Sequence, residues 1–227
     1  MPAPRDDFIN ALERRSPRGR VPHFELDFFL TMEAFGKVHS SQRRYDQWDQ
    51  MEESERRLHR RDIAEAHVLV AERYEHAAIF IHSPLQAVAE EARLVDEVQK
   101  LSREQRFTMM HGDPTFEIPS GDQMVAFAYR LSDDPVGVHD VAKRRLDEAL
   151  DRARFLKERT ALDGFALCSD YCFNTGPFLS PDMFHELITP YLARIVAGYR
   201  ELGFYSIKQT DGNIMPIIDQ LVSANPH

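Results

Sequence analysis

Between Asp163 and Asn213 the sequence reads as strand, polar loop, capped helix, strand, polar loop, and this β-α-β order limits the chain to few topologies. Phe165 to Leu167 is a short apolar run. Ser180 then offers an oxygen to the free N–H groups of a helix beginning at Pro181, with Asp182 complementing its dipole. Phe184, Leu187, Ile188, Tyr191, Leu192, Ile195, Val196 and Tyr199 recur at spacings of three and four, which predicts one buried stripe. Pro190 should kink this helix, because it lacks an N–H, and Gly203 should end it in the left-handed region. Phe204 to Lys208 resumes an extended run, so the two strands should lie parallel with a right-handed crossover.

The same alternation runs through the rest of the chain. Asp7 to Arg15 predicts a short amphipathic helix and Val21 to Phe28 a first strand, with Phe24, Leu26 and Phe28 on one face and His23, Glu25 and Asp27 on the other. Gln42 to Tyr74 predicts a charged helix with a break near Glu52. Ala77 to His82 has no alternation, as expected of a strand covered on both faces. A helix over Gln86 to Leu101, a strand over Arg106 to His111, helices around Met124 to Leu131 and Val138 to Leu162, and a last helix from Ile214 complete the reading. Strands near 23, 79, 108, 166 and 206, each followed by helix, predict one α/β domain spanning residues 1–227. No glycine-rich phosphate turn follows the first strand, which favours a (β/α) barrel over a dinucleotide-binding sheet.

With 43% apolar and 29% charged residues in 227, the chain can bury a substantial core. Its 28 basic residues against 37 acidic ones, a net charge of -9, argue against nucleic acid or an anionic membrane as a general partner. No apolar run approaches the roughly 20 residues of a membrane helix, and the N-terminus has no signal-peptide core, so the expected location is the cytoplasm. Cys168 and Cys172 make no disulfide framework and are expected as thiols.

The segments RVPHFEL from Arg20, AAIFIH from Ala77, CSDYCFNTGPFLSPDMF from Cys168, ITPYLARIV from Ile188 and TDGNI from Thr210 together resemble the uroporphyrinogen decarboxylase superfamily. The resemblance runs from about Ala11 to the last residue. It implies a (β/α)8 TIM-barrel fold, and about five of its eight β/α units can be counted, so the C-terminal units are expected outside this sequence. The superfamily contains cofactor-free decarboxylases of uroporphyrinogen and zinc-dependent methyltransferases that work with corrinoids. The expected function is therefore a carboxy-lyase acting on a tetrapyrrole-type substrate, as in porphyrin biosynthesis. A corrinoid-dependent methyltransferase is the first alternative, and a catalytically silent tetrapyrrole-binding protein the second. The small-molecule partner would be a tetrapyrrole or a corrinoid, and a homodimer is left open.

The resemblance also nominates residues. Asp170 matches the family's acidic position after a strand and would orient or protonate a pyrrole-type group; a loop-capping aspartate is the competing reading. Asp211 joins it as a catalytic candidate, and Tyr171, Asn174, Gln209 and Asn213 would contact substrate, although Asp-Gly-Asn is also an ordinary turn sequence. His82 and His111 end strands on the expected catalytic rim, and Glu25 and Asp27 would line the barrel interior. A metal shared by His82, His111 and Cys168 or Asp170 is the less favoured reading, and hydrogen-bonded structural histidines the preferred one. Two departures stand out. Ser83 follows His82 where the decarboxylases carry an aspartate, and Gln209 and Asp211 stand where the methyltransferase branch has histidine and cysteine as zinc ligands. No cofactor is expected for a decarboxylase, and zinc only for a methyltransferase.

Overall fold

The computed structural model describes residues 3–16 and 19–227, and the chain divides into two compact units, Met1–His111 with Phe155–Gly164, and Gly112–Arg154 with Phe165–His227. The fold is mixed α/β with a parallel sheet of four strands: one neighbouring pair in the first unit, and one in the second.

In the first unit, helix α1 (Pro4–Leu12) opens on a proline and places Asp6 and Asp7 in its first turn, where the helix dipole favours them. Its buried Phe8 packs on Phe107 at 4.9 Å and on Phe24 at 5.6 Å. A short α2 (Thr31–Phe35) precedes α3 (Glu53–Arg73), which starts in a capping box: the Glu52 side chain accepts from the backbone of Glu55, and the Glu55 side chain from that of Glu52. The helix expected over Gln42 to Tyr74 thus begins only at Glu53, and single 3-10 turns at Ser40–Gln42 and Trp48–Gln50 precede it. Strand β1 (Ala78–Ile81) is buried throughout, and α4 (Val88–Leu101) leads to β2 (Phe107–His111), paired in parallel from Ala78 opposite Phe107 to Ile81 opposite Met110. Arg60 on α3 is buried against Glu90 on α4 at 2.5 Å, so the two helices are tied by an ion pair as well as by their apolar faces.

Residues 21–28 form no strand. Their backbone link to β1 is a single bond, from Ala77 N–H to His23 O at 2.7 Å, and one bond does not make a ladder. Pro22 has no N–H to donate, and the aromatic residues serve as packing for helices instead, Phe24 on Phe8 and Phe28 on Tyr74. Glu25 and Asp27 are exposed on this irregular segment rather than aligned on a strand face. The alternating pattern therefore misled, and the described residues show a four-stranded parallel sheet without the closure of an eight-stranded barrel.

Helices α5 (Gln123–Asp133) and α6 (Pro135–Arg159) follow β2, and α6 passes from the second unit into the first at its last turn. Strand β3 (Gly164–Leu167) is fully buried and lies beside the later β6 (Tyr205–Lys208). Between them stand an antiparallel hairpin, β4 (Cys172–Phe173) and β5 (Gly176–Pro177), and two helices, α7 (Pro181–Leu187) and α8 (Thr189–Glu201). The expected kink at Pro190 is a complete break at Ile188, with Pro190 in the first turn of α8 where its missing N–H costs nothing. Ser180 caps α7 through Met183 N–H, and Gly203 follows α8 at φ 77°. A short α9 (Ile218–Ser223) ends the described elements.

The second unit packs around the stacked rings of Phe165 and Tyr199, 4.2 Å apart. Gly112 is required there, because a Cβ on it would meet the Phe165 side chain at 2.7 Å. Its carbonyl accepts from the Tyr199 hydroxyl at 2.7 Å.

Candidate functional site

The C-terminal ends of β3 and β6 carry the densest polar groups of the second unit, and they sit over a buried ion pair. Asp113, in the loop after β2, and Lys208, the last residue of β6, are 3.0 Å apart. Asp113 Oδ1 accepts from the Thr115 hydroxyl at 2.6 Å and the Thr115 backbone N–H at 3.0 Å. Its Oδ2 accepts from Lys208, from Ser169 N–H at 3.2 Å and from the Tyr171 hydroxyl at 3.3 Å. Lys208 Nζ donates in addition to the carbonyls of Gln209 at 2.8 Å, Ser169 at 2.9 Å and Leu167 at 3.0 Å, and lies 4.2 Å from the centre of the Tyr171 ring.

Burial alone would raise the Asp113 carboxyl, but the Lys208 charge and the Thr115 bonds outweigh it and hold the group below the usual carboxylate range. Burial pulls Lys208 below the ordinary lysine value, with the Asp113 charge opposing. Burial, then the neighbouring Asp113 charge, pushes the Tyr171 phenol well up. The pair is thus a fixed internal charge arrangement that anchors three chain segments. Neither Asp113 nor Lys208 was anticipated from the sequence. The available signals were a lysine closing a strand with no other charge, and the Gly-Asp-Pro run after β2.

Above this pair, Asp170 Oδ1 accepts the backbone N–H of Asp211 at 3.0 Å, and Gln209 Nε2 donates to Asp211 Oδ1 at 3.0 Å. Thr210 Oγ1 accepts from Tyr171 N–H at 3.2 Å, and Asn213 N–H donates to Phe173 O at 2.9 Å. The loops after β3 and β6 are thereby cross-linked, bringing Asp170, Gln209, Asp211 and Asn213 to one rim. Tyr171 points its hydroxyl inward to Asp113 and Thr115. Asn174 is exposed in the turn between β4 and β5, and the Asn213 side chain accepts from Met215 N–H at 3.3 Å. Cys168 and Cys172 are not joined in a disulfide, and the second is buried.

The remaining nominated residues belong to the first unit. His82 Nε2 lies 2.8 Å from Leu26 O and 3.0 Å from Asp27 Oδ1, and its backbone N–H donates to His67 Nε2 at 3.1 Å. His111 ends β2 and is exposed, as is Glu25.

A zinc site of the kind the resemblance implies does not fit the side chains present. Gln209 offers its amide N–H to Asp211 rather than a donor atom to a metal, and among the described residues no group of three or more His, Cys, Asp and Glu is placed to hold a metal ion. Among the described residues, no helix is long and apolar enough to cross a membrane.

The fold and the loop cluster thus define an α/β protein with polar groups gathered where parallel strands end. No protein-family model matches the chain, and no curated protein matches it. Among solved structures it is similar to a methyltransferase from Methanosarcina mazei, with 13% identity over 99% of this chain and 74% of that chain, at a TM-score of 0.64. This corrects the expected carboxy-lyase. The neighbour is a methyltransferase, and it lends no support to release of carbon dioxide from a tetrapyrrole side chain or to porphyrin biosynthesis.

Proposed function

We propose that this chain is a methyltransferase whose acceptor binds at the rim formed by the loops after β3 and β6. The observation that carries the reading is the pairing of Asp170 with the Asp211 backbone, which sets two carboxylates and the Gln209 amide side by side in a fold similar to that of a methyltransferase. The finer reading of the fold, a (β/α)8 barrel of the uroporphyrinogen decarboxylase superfamily, belongs to the same proposal. A corrinoid is the methyl donor that the resemblance implies, and it supplies the methyl group in electrophilic form.

The chain's own part is to bind and deprotonate. A thiol or alcohol acceptor becomes a useful nucleophile only when its proton is taken, and a carboxylate at the rim can take it. Asp170 is the candidate base and Asp211 its neighbour, with the Gln209 amide held beside Asp211. The Asp113–Lys208 pair keeps the loop ends in place, so the two carboxylates need no reorganisation when substrate arrives. No step is routed through zinc, because the donor set does not suit it.

The test is a methyl-transfer assay with methylcobalamin and small thiol or alcohol acceptors, following loss of the cobalt–carbon absorbance and formation of the methylated product. Turnover that falls by roughly a hundredfold or more in Asp170→Asn supports the reading. Absence of methylated product from every acceptor, or full turnover in Asp170→Asn and Asp211→Asn alike, overturns it.

A further inference from the structure

The second unit contains a groove whose lining shares no residue with the rim, although Ile118 on its wall donates its backbone N–H to Asp170 O at 2.9 Å. A cavity of about 190 Å³ is lined by Phe116, Glu117, Ser120, Phe127, Arg130 and Arg145, among others. Its inner wall is aromatic: Phe116 and Phe127 are buried with ring centres 5.3 Å apart, and Phe127 continues to Phe178 at 6.1 Å. Its mouth is cationic. Arg130 comes from the last turn of α5, and Arg145 from α6 with its guanidinium 5.0 Å from the centre of the Phe116 ring.

Among the described residues neither guanidinium has a carboxylate partner, although the chain carries nine more acidic than basic groups. The Arg145 guanidinium lies over the Phe116 ring, where its N–H groups can reach a ligand in the groove. Glu117 is the acid on the lining and bonds neither arginine. An aromatic slot closed by two unpaired guanidiniums complements a flat apolar body ending in an oxyanion.

We propose that this groove binds a small aromatic acid, its ring against Phe116 and Phe127 and its carboxylate or sulfonate on Arg130 and Arg145. The proposal goes beyond methyl transfer and does not depend on it.

The full chain is titrated with the anionic dye 8-anilinonaphthalene-1-sulfonate and, separately, with its neutral counterpart N-phenyl-1-naphthylamine, with 1-naphthoate as competitor for the first. Both arginines are exposed, so Arg130→Ala and Arg145→Ala should fold, which a melting curve checks. The expected result is saturable anionic-dye binding displaced by 1-naphthoate, weakened roughly tenfold in the double variant while neutral-dye binding is unchanged. Glu117→Gln should tighten the anionic dye by removing a like charge. The exposed Arg154→Ala, outside the groove, should leave both dyes as they were. The proposal is overturned if no saturable anionic-dye binding occurs, if the double variant binds that dye as the parent does, if both dyes weaken together, or if Arg154→Ala weakens the anionic dye equally.

Discussion

Lys208 Nζ donates to Asp113 Oδ2 across 3.0 Å with both side chains withdrawn from water, 6% and 0% exposed. Removing one partner strands the other charge in the interior. Lys208→Met should therefore lower unfolding stability by about 3–5 kcal/mol, read from urea denaturation. A loss under about 1 kcal/mol would mean that water reaches Asp113 and that the pair is not a buried anchor.

The bond from Asp211 N–H to Asp170 Oδ1 separates two roles that one residue could play. An asparagine keeps an acceptor oxygen for that N–H but cannot act as a base. Asp170→Asn should thus melt like the parent while methyl transfer falls by roughly a hundredfold, whereas Asp170→Ala should lose about 1–3 kcal/mol of stability as well. Equal melting and equal turnover in both variants would leave Asp170 with neither role.

Acid should loosen the first unit before it reaches the ordinary carboxylate range. His67 donates Nδ1–H to Ile63 O at 2.8 Å and accepts the His82 N–H on Nε2 at 3.1 Å, so both ring nitrogens are committed in the neutral form. Burial holds the ring down at about 4, against the Ile63 bond, and burial likewise holds His39 at about 4. The unfolded chain takes up these protons near pH 6.5 and the folded chain does not, so stability is full above that value and is lost as pH falls toward about 4. The His67 share is about 3 kcal/mol. Urea midpoints between neutral pH and about pH 4.5 should drop accordingly, and His67→Gln should shrink the slope. A flat profile in the parent protein would show that His67 protonates without opening the fold.

Gly212 occupies φ +86°, and a Cβ there would run into the Cys172 carbonyl oxygen. Gly212→Ala should cost more than 1 kcal/mol and weaken acceptor binding, because the turn carrying Asp211 and Asn213 would be pushed off β4. Calorimetry of the variant checks the first part and KM the second.

The β-α-β unit from Asp163 onward was legible because its signals are local: Ser180 and Pro181 start a helix, Gly203 ends the next, and the stripe between them has one period. Two features were hidden for opposite reasons. Val21 to Phe28 alternates as a strand would, but its aromatic side chains pack on Phe8 and Tyr74, and a single backbone bond reaches β1. The Asp113–Lys208 pair spans 95 residues, and nothing within a short window announces a partner so distant. The β4–β5 hairpin was missed as well, although Asn174, Thr175 and Gly176 form a turn-prone run. At the rim, the resemblance nominated Asp170, Gln209, Asp211 and Asn213, and the structure gathers them on adjoining loops; it places Glu25, Asp27, His82 and His111 in the other unit.

Tyr171 and Tyr199 hold their hydroxyl protons tightly for one reason, enclosure, with the Asp113 charge adding to it at Tyr171. As alkali is added, these two of the chain's seven tyrosines should stay spectroscopically silent while the exposed ones become phenolate. Their delayed appearance in the ultraviolet makes a native optical gauge, free of any attached dye, for the moment at which the second unit opens.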